Sequence, residues 1–563
     1  MALQQKAFSD IITFSRSSNA TRTGPDGTVQ YAPHNLLLRS QELDNAAWTK
    51  DNCTATANAI AAPDGTVTAD MITDGASGSP SLYLAAFVTI TASAPYTASG
   101  YVKRGNTDWI RFIIQDGAFG NQTVVWFNLA TGATSSGVTL TSVGNGWYRF
   151  SVTATIGSAS TAQYQINTAA SNGSNTRVSG GTYYLWGAQL SVGSIAGDYT
   201  PTTSAAVYGP RFDYDPVTKA AKGLLIEEQR TNLLTYSEQF DNAVWSKVRM
   251  SITSNSTSAP DGTTTADTFV EDTTASNTHV LYVTQSGLTS GVTYSFSLYV
   301  KANGRTQVNI SCGSTAFTGI GGTLFDLSAN TASNGTGVVG SSITDVGNGW
   351  KRIVYTVTAN GTGSGDIYIG TYVNGSGSYT GNGTSGVYVW GAQLEAGAFA
   401  TSYIPTIASS VTRSADVATV NTLSPWYNAT EGTLYAEFAG AAGWAVQLGE
   451  GANFNNRIAI GSTGANFLVS DATGTNQVNI GSYNGTATAF VKIAGAYKVN
   501  DFACSINGGA VTVDTIGTVP APTSMMIGAR NTASPNSFLN SWVKRIAYYP
   551  RRMTNAELQA LTA

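Results

Sequence analysis

A hydrolase acting on sugars needs two carboxylates set across the bond it breaks. The nearest approach to such a pair is Glu227-Glu228, and its spacing fails. Neighbouring residues of a strand point to opposite faces, so the two acids cannot serve one bond. Ion pairing, with Arg230 or with a neighbouring chain, is the use that fits them. Glu437 has no second acid in its strand nearer than Glu431, six residues away. The two histidines, His34 and His279, lie in different parts of the chain, which removes zinc hydrolysis and leaves no Ser-His-Asp triad to assemble. Gly-Asn-Gly at 144–146 and 347–349 is followed by neither Lys nor helix, so it is a turn and not a phosphate loop. Cys53, Cys312 and Cys504 fall one to a domain and read as small buried hydrophobes. No catalytic residue is assigned, and no cofactor is expected beyond calcium. The weak candidates for a calcium site are Asp64 and Asp261, each in a Pro-Asp-Gly turn, where an Asp more often caps its own turn.

Aromatic rings are the better clue, because sugars present C–H faces that stack on them. Trp48, Trp147 and Trp186 recur as Trp245, Trp350 and Trp390 in a second copy of the same phrases, which marks them as shared core. Trp109 and Trp126 do not recur; the corresponding positions read Val308 and Leu324. With Trp426 and Trp444 they are the candidate carbohydrate-binding residues. Charged residues make up only 11% of the 563, the formal net charge is -4, and no basic run occurs. Nucleic acid, whose recognition begins with clustered Lys and Arg, is thereby excluded as a partner. Residues 1–6 lack the apolar core of a signal peptide, and no apolar run approaches the roughly 20 residues of a membrane span. Synthesis in a reducing cytoplasm without membrane insertion is expected.

The recurring phrases define the elements that must position these residues. Asn35-Leu36-Leu37 returns as Asn232-Leu233-Leu234, and Ala62-Pro63-Asp64-Gly65-Thr66 as Ala259-Pro260-Asp261-Gly262-Thr263. Tyr101-Val102-Lys103 returns as Tyr299-Val300-Lys301, and Val143-Gly144-Asn145-Gly146-Trp147 as Val346-Gly347-Asn348-Gly349-Trp350. Trp186-Gly187-Ala188-Gln189-Leu190 closes the first copy and Trp390-Gly391-Ala392-Gln393-Leu394 the second. A period of this length means duplicated domains, not a solenoid. Within each copy, period-two alternation and Asn-Gly turns predict short antiparallel strands, as in Tyr294, Phe296, Leu298 and Val300 on one face. Val387–Trp390 is apolar on both faces and is expected at the centre of a sheet. The reading is all-β and multi-domain. Residues 1–34 form an N-terminal hairpin, 35–204 a first jelly-roll β-sandwich, 205–231 a linker hairpin and 232–410 a second jelly roll. Residues 411–563 form a concanavalin-like β-sandwich with one short C-terminal helix, announced by the Thr554/Glu557 capping box.

Pro210-Arg211-Phe212-Asp213-Tyr214-Asp215-Pro216, followed by Gly223-Leu224-Leu225-Ile226-Glu227-Glu228-Gln229-Arg230-Thr231-Asn232, resembles the signature of tailed-bacteriophage fibre and head-spike proteins. In that group it leads into a carbohydrate-binding-module-like jelly roll. Phe14-Ser15-Arg16-Ser17-Ser18-Asn19-Ala20-Thr21 resembles the segment that usually precedes it. The C-terminal domain, with a strand ending in Tyr548-Tyr549 before a capped helix, is similar to the laminin-G-like domains of phage proteins. The acidic strand cluster of concanavalin-like glucanases is missing from it. The resemblance implies a structural tail fibre or capsid-attached head fibre, located in the virion, that adheres to host surface polysaccharide without catalysis. It implies attachment to other virion structural proteins through residues 1–34, and a homotrimer. The alternatives are a polysaccharide depolymerase tailspike and a purely architectural capsid decoration protein.

Overall fold

A computed structural model describes residues 8–75, 83–117, 122–157, 160–440, 442–451, 455–461, 467–482 and 489–563. The protein is all-β, built of paired antiparallel sheets, with a capped C-terminal helix at Asn555–Thr562 and a helical turn at Phe8–Ile11 that the sequence did not announce. Glu557 N donates to Thr554 Oγ1 at 3.3 Å, and Thr554 N donates to Glu557 Oε2 at 2.8 Å, closing the capping box. Two compact units emerge, Tyr31–Gly209, and Met1–Gln30 together with Pro210–Ala563.

The first unit is a two-sheet sandwich. Its five-stranded sheet runs Gln122–Asn128, Trp109–Asp116, Thr161–Ala169, Tyr83–Thr89, Thr49–Asp51. Its six-stranded sheet runs Val138–Gly144, Trp147–Thr155, Pro95–Arg104, Thr182–Val192, Ala69–Asp74, Cys53–Ile60. Alternation along Trp109–Asp116 sends Ile110, Phe112 and Ile114 into the core, where Phe112 meets Tyr164 and Phe150 with ring centroids 4.7 and 5.0 Å apart. The second unit repeats this plan over the second copy, with one additional edge strand, Thr331–Asn334. Both sheets of that copy thus have six strands, and Gly386–Ala396 lies in the interior of the one that holds Thr293–Asn303, as the doubly apolar stretch requires.

The recurring phrases recur because they bond to one another. Asn35 Nδ2 donates to the carbonyls of Ala188 (2.9 Å) and Thr200 (3.0 Å), and its Oδ1 accepts from the amides of Leu37 and Leu190. Asn232 repeats the clamp on Ala392, Ile404, Leu234 and Leu394. The indole of Trp147 donates to Ala61 O, and that of Trp350 to Ser258 O, each next to the Ala-Pro-Asp-Gly turn. Trp186 and Trp390 donate to Thr68 and Thr265. Gly391 sits at φ +64°, and a Cβ there would lie 3.0 Å from the Tyr299 ring, so the Trp-Gly-Ala-Gln-Leu phrase needs its glycine. All six recurring tryptophans are buried.

The third sandwich has two seven-stranded sheets, and each is completed from far away in sequence. Thr13–Ser15 pairs with Val417–Val420 at the edge of one, and Phe212–Tyr214 with Ala221–Ile226 extends the other beside Ser541–Tyr549. The N-terminal segment and the linker hairpin are thus strands of this sandwich, with Leu224 and Ile226 in its core and Phe8, Ile12 and Phe14 packed on it. The Gly24-Pro25-Asp26-Gly27 turn joins Thr21–Thr23 to Val29–Tyr31, and Val29 rests on the Trp350/Trp390/Tyr403 cluster of the second jelly roll.

The signature residues meet in one buried ionic hub. Arg211 donates to Glu227 Oε2 at 2.6 Å and also pairs with Asp416; Arg16 donates to Asp416 Oδ1 at 2.8 Å. Arg413 lies 3.4 Å from Glu227, and Ser402 N donates to Glu227 Oε1 at 2.9 Å. Burial alone would raise the Glu227 carboxyl, but Arg211 and Arg413 hold it down to about 2. Arg230 does not take part here: it pairs with Glu228 at 2.5 Å, so the adjacent acids have separate basic partners.

Candidate carbohydrate-binding faces

The face of the first unit's five-stranded sheet that turns away from the core brings two of the four candidate tryptophans together. Trp109 and Arg111 alternate outward on one strand, and Trp126 stands opposite Arg111 on the next, about 5 Å away Cβ to Cβ. On the other side of Arg111, the strand Thr161–Ala169 places Asn167, Gln165 and Gln163 in register on the same side of the sheet, all three buried. Both tryptophans are half-buried, and Trp126 Nε1 donates to Ser174 O at 2.8 Å, which fixes the indole plane. Phe87, opposite Gln163, is 50% exposed. The accessible part of the face therefore combines rings with the Arg111 guanidinium, side-chain types that stack on sugar C–H faces and bond to hydroxyls.

The equivalent face of the second jelly roll carries tyrosines that sequence reasoning missed. Tyr282 and Tyr368 stand opposite each other with ring centroids 5.3 Å apart, and Tyr372 follows on the same strand face. Between them Asp366 accepts from Thr284 Oγ1 and Ser314 Oγ at 2.6 Å and from Tyr368 OH at 3.1 Å. Burial pushes that carboxyl up, but these hydrogen bonds outweigh it and hold it below its ordinary value. A cavity of about 160 Å³ lies beside the rings, lined by His279, Asn309, Ser311, Tyr368 and Tyr372. Alternation in Asp366-Ile367-Tyr368-Ile369-Gly370-Thr371-Tyr372 was the available signal. Register also corrects one correspondence. Trp109 pairs with Ala169 and faces outward as Gln307 does opposite Tyr372, whereas Val308 points into the core at 0% exposure. Leu324, opposite Asn309, does occupy the Trp126 position.

The remaining candidates are elsewhere. Trp426 is half-buried, its ring 5.0 Å from Tyr548 and packed against the core of the third sandwich. Trp444 is only 7% exposed, against Ala459 and Leu468. Asp64 and Asp261 each accept from the amide and hydroxyl of the Thr two residues on, at 2.9 and 2.7 Å, so one carboxylate oxygen of each caps its turn. Among the described residues no group of three or more His, Cys, Asp or Glu is placed to hold a metal. Glu437 pairs with Lys544 at 3.0 Å. All three cysteines are free and buried, and burial raises Cys53 and Cys312 to about 11 and Cys504 to about 12, which leaves them inert thiols. His34 is held from both sides, with Nδ1 2.7 Å from Ala32 O and Nε2 accepting from Val192 N. A separate trough of about 590 Å³ on the six-stranded sheet of the first unit is lined by hydroxyls and Arg149 and has no ring among its lining residues. No helix among the described residues is long and apolar enough to cross a membrane.

No protein family and no curated protein matches this sequence. Among solved structures, the chain is similar to the N-terminal CBM22-1–CBM22-2 tandem of Paenibacillus barcinonensis Xyn10C, at 14% identity and TM-score 0.21, over 65% of this chain and 98% of that one. It is similar to the LG1-3 region of the laminin α2 chain at 10% identity and TM-score 0.18, covering 84% and 96%. It is also similar to Trypanosoma rangeli sialidase at 11% identity and TM-score 0.20, covering 98% of both chains. Likenesses of this size carry nothing about ligand or activity, which rest on the faces themselves.

Proposed function

We propose that the protein is a non-catalytic adhesin that binds surface polysaccharide through the outward faces of its two jelly rolls. The carrying observation is that equivalent sheets of both copies, whose cores are nearly the same, present different aromatic sets outward: Trp109 and Trp126 in one, Tyr282, Tyr368 and Tyr372 in the other. In both copies these positions are rings flanked by polar side chains, and some are oriented by local bonds, Trp126 to Ser174 O and Tyr368 to Asp366. The acids considered for catalysis are engaged with cations, Glu227 and Glu228 in the hub region and Glu437 with Lys544.

The setting we infer is a bacteriophage virion, as a tail fibre or capsid-attached head fibre, assembled as a homotrimer and attached through other virion structural proteins. The signature phrases support that setting; since their Arg16, Arg211 and Glu227 are used in a structural hub, they do not identify a ligand. The test is to incubate the purified protein with host cells and extracted surface polysaccharide, scoring bound protein and released reducing ends together. Binding without release is expected, with Trp126→Ala and Tyr368→Ala each weakening it at least ten-fold, about 1.4 kcal/mol. Release of reducing ends would establish a depolymerase instead. Absence of both, with loss of virion stability on deletion, would establish an architectural role.

A further inference from the structure

The two copies differ in what lies over the outward face of the six-stranded sheet that holds their recurring tryptophans. In the second copy the hairpin formed by Thr21–Thr23 and Val29–Tyr31 covers it. Val29 N donates to Pro260 O at 3.0 Å, Thr21 Oγ1 donates to Tyr403 O, and the Val29 side chain rests on Trp350, Trp390 and Tyr403 beside Val346. A Cβ on Gly262 would lie 3.8 Å from the Thr28 methyl, and one on Gly347 would lie 3.2 Å from the carbonyl of Pro216 in the linker hairpin. Under this cover Tyr403 is 2% exposed, Tyr299 is 5% exposed, and Pro260 is buried.

The first copy presents the same groups without the cover. A Cβ on Gly65 or Gly144, the counterparts of Gly262 and Gly347, would meet nothing within 4 Å. Val143, in the place of Val346, is 42% exposed, and Tyr101 and Tyr199 are only half-buried. Asp198 stands exposed at the position where Ser402 is bonded to Arg211 and Glu227. Ile195 is 58% exposed and borders the trough of about 590 Å³ on the same face, whereas its counterpart Phe399 has the Arg230 guanidinium over its ring at 4.8 Å. The groups that hold the hairpin in the second copy are a proline carbonyl, a tyrosine carbonyl and a Trp-Trp-Tyr cluster. All are present in the first, as Pro63, Tyr199 and the cluster of Trp147, Trp186 and Tyr199. Open aromatic and aliphatic surface of this kind is the make-up of a protein interface, and the covered copy shows which shape fits it.

We propose that this face of the first jelly roll docks a β-hairpin of another protein, one that carries a β-branched side chain just past a tight glycine turn, as Val29 follows Gly27. The occupant is foreign because the hairpin of this chain is committed. Thr23 N donates to Asp213 Oδ1 at 2.6 Å and Arg211 donates to Thr21 O, so a second copy offers its own hairpin only by breaking those bonds. The sugar faces lie on the other sheet of each jelly roll, so the docking site goes beyond the adhesin reading and does not rest on it.

The experiment titrates the full chain, isotope-labelled at tryptophan side chains, with a synthetic peptide of residues 19–32 joined end to end into a ring, because an isolated hairpin is marginally stable in water. The site on the second copy is filled, so binding is expected at the first, shifting the indole signals of Trp147 and Trp186 and leaving those of Trp350 and Trp390 in place. Val143→Asp in the protein and Val29→Asp in the peptide should each weaken binding by about ten-fold or more. Val143 faces solvent, and the peptide variant tests the same contact on an unaltered protein. Binding that survives both substitutions, or silence of the indoles at millimolar peptide, would overturn the proposal. A response of Trp350 and Trp390 alone would overturn it too, since the peptide would then only exchange with the chain's own hairpin. Dissociation of the native assembly by Val143→Asp would overturn the foreign occupant and put a second copy on this face.

Discussion

Single residues here are held by many bonds, and the energetic consequence differs with their chemistry. Asn232 fills all four of its hydrogen-bonding positions in a site of 0% exposure. Asn232→Ala leaves backbone groups of two phrases buried without partners, and a loss of about 3 kcal/mol in equilibrium unfolding of the second jelly roll is expected. Glu238 behaves differently. Burial, and then the nearby Asp261, raises its carboxyl to about 7, and Asp267 is raised to about 6, chiefly by burial. An acid whose folded value lies above its unfolded one stabilises the fold below the unfolded value, and that stability drains as pH rises through the folded one. Glu227, held at about 2, works in the opposite sense, and its contribution is lost as pH falls from about 4.5 toward 2. The melting temperature is therefore expected to peak between about pH 4.5 and 5.5 and to fall toward neutrality. Glu238→Gln should flatten the neutral limb; an unchanged slope between pH 5 and 7.5 would contradict the assignment to this carboxyl.

At the scale of elements, the edge strand Thr13–Ser15 closes a sheet with a partner some 400 residues away, and Arg16, immediately after it, enters the hub. Deleting residues 1–16 removes that strand and leaves Asp416 without one of its cations; breaking a buried ion pair costs about 3–5 kcal/mol. Early melting of the third sandwich is expected, with the first unit, Tyr31–Gly209, unfolding as before. A truncated chain that melts like the full one would show that the edge strand contributes nothing. This pairing was not legible in the sequence, because three-residue strands carry no periodicity and nothing local encodes a partner so distant. What was legible had local or repeated signals. Alternation gave the sandwiches, repetition separated the six core tryptophans from Trp109 and Trp126, and Thr554 with Glu557 gave the helix cap. The site was half legible. Trp109 and Trp126 do share a face, but aligning Trp109 with Val308 was one residue off, and a slip of one residue in a strand exchanges core for surface.

At the scale of the whole molecule, the adhesin reading gives one sugar site to each jelly roll, and two sites in one chain are too few for adhesion. With millimolar sites and a millimolar effective concentration between them, the second contact on a polymer strengthens binding only a few-fold. An assembly that presents three copies reaches the 10²–10⁴-fold range, because each added contact multiplies the gain. The low charge of the chain leaves little repulsion to oppose side-by-side packing of copies. The adhesin reading therefore expects the sedimentation mass of a trimer and a dissociation constant for polysaccharide at least about 100-fold below that for its monosaccharide. Substituting Trp126 and Tyr368 together should remove most of that gain while leaving the trimer mass unchanged, since both side chains lie on outward sheet faces. A monomeric mass combined with tight polymer binding would place the affinity in a single extended site spanning several sugar units, and the search would then move from assembly to the length of one face.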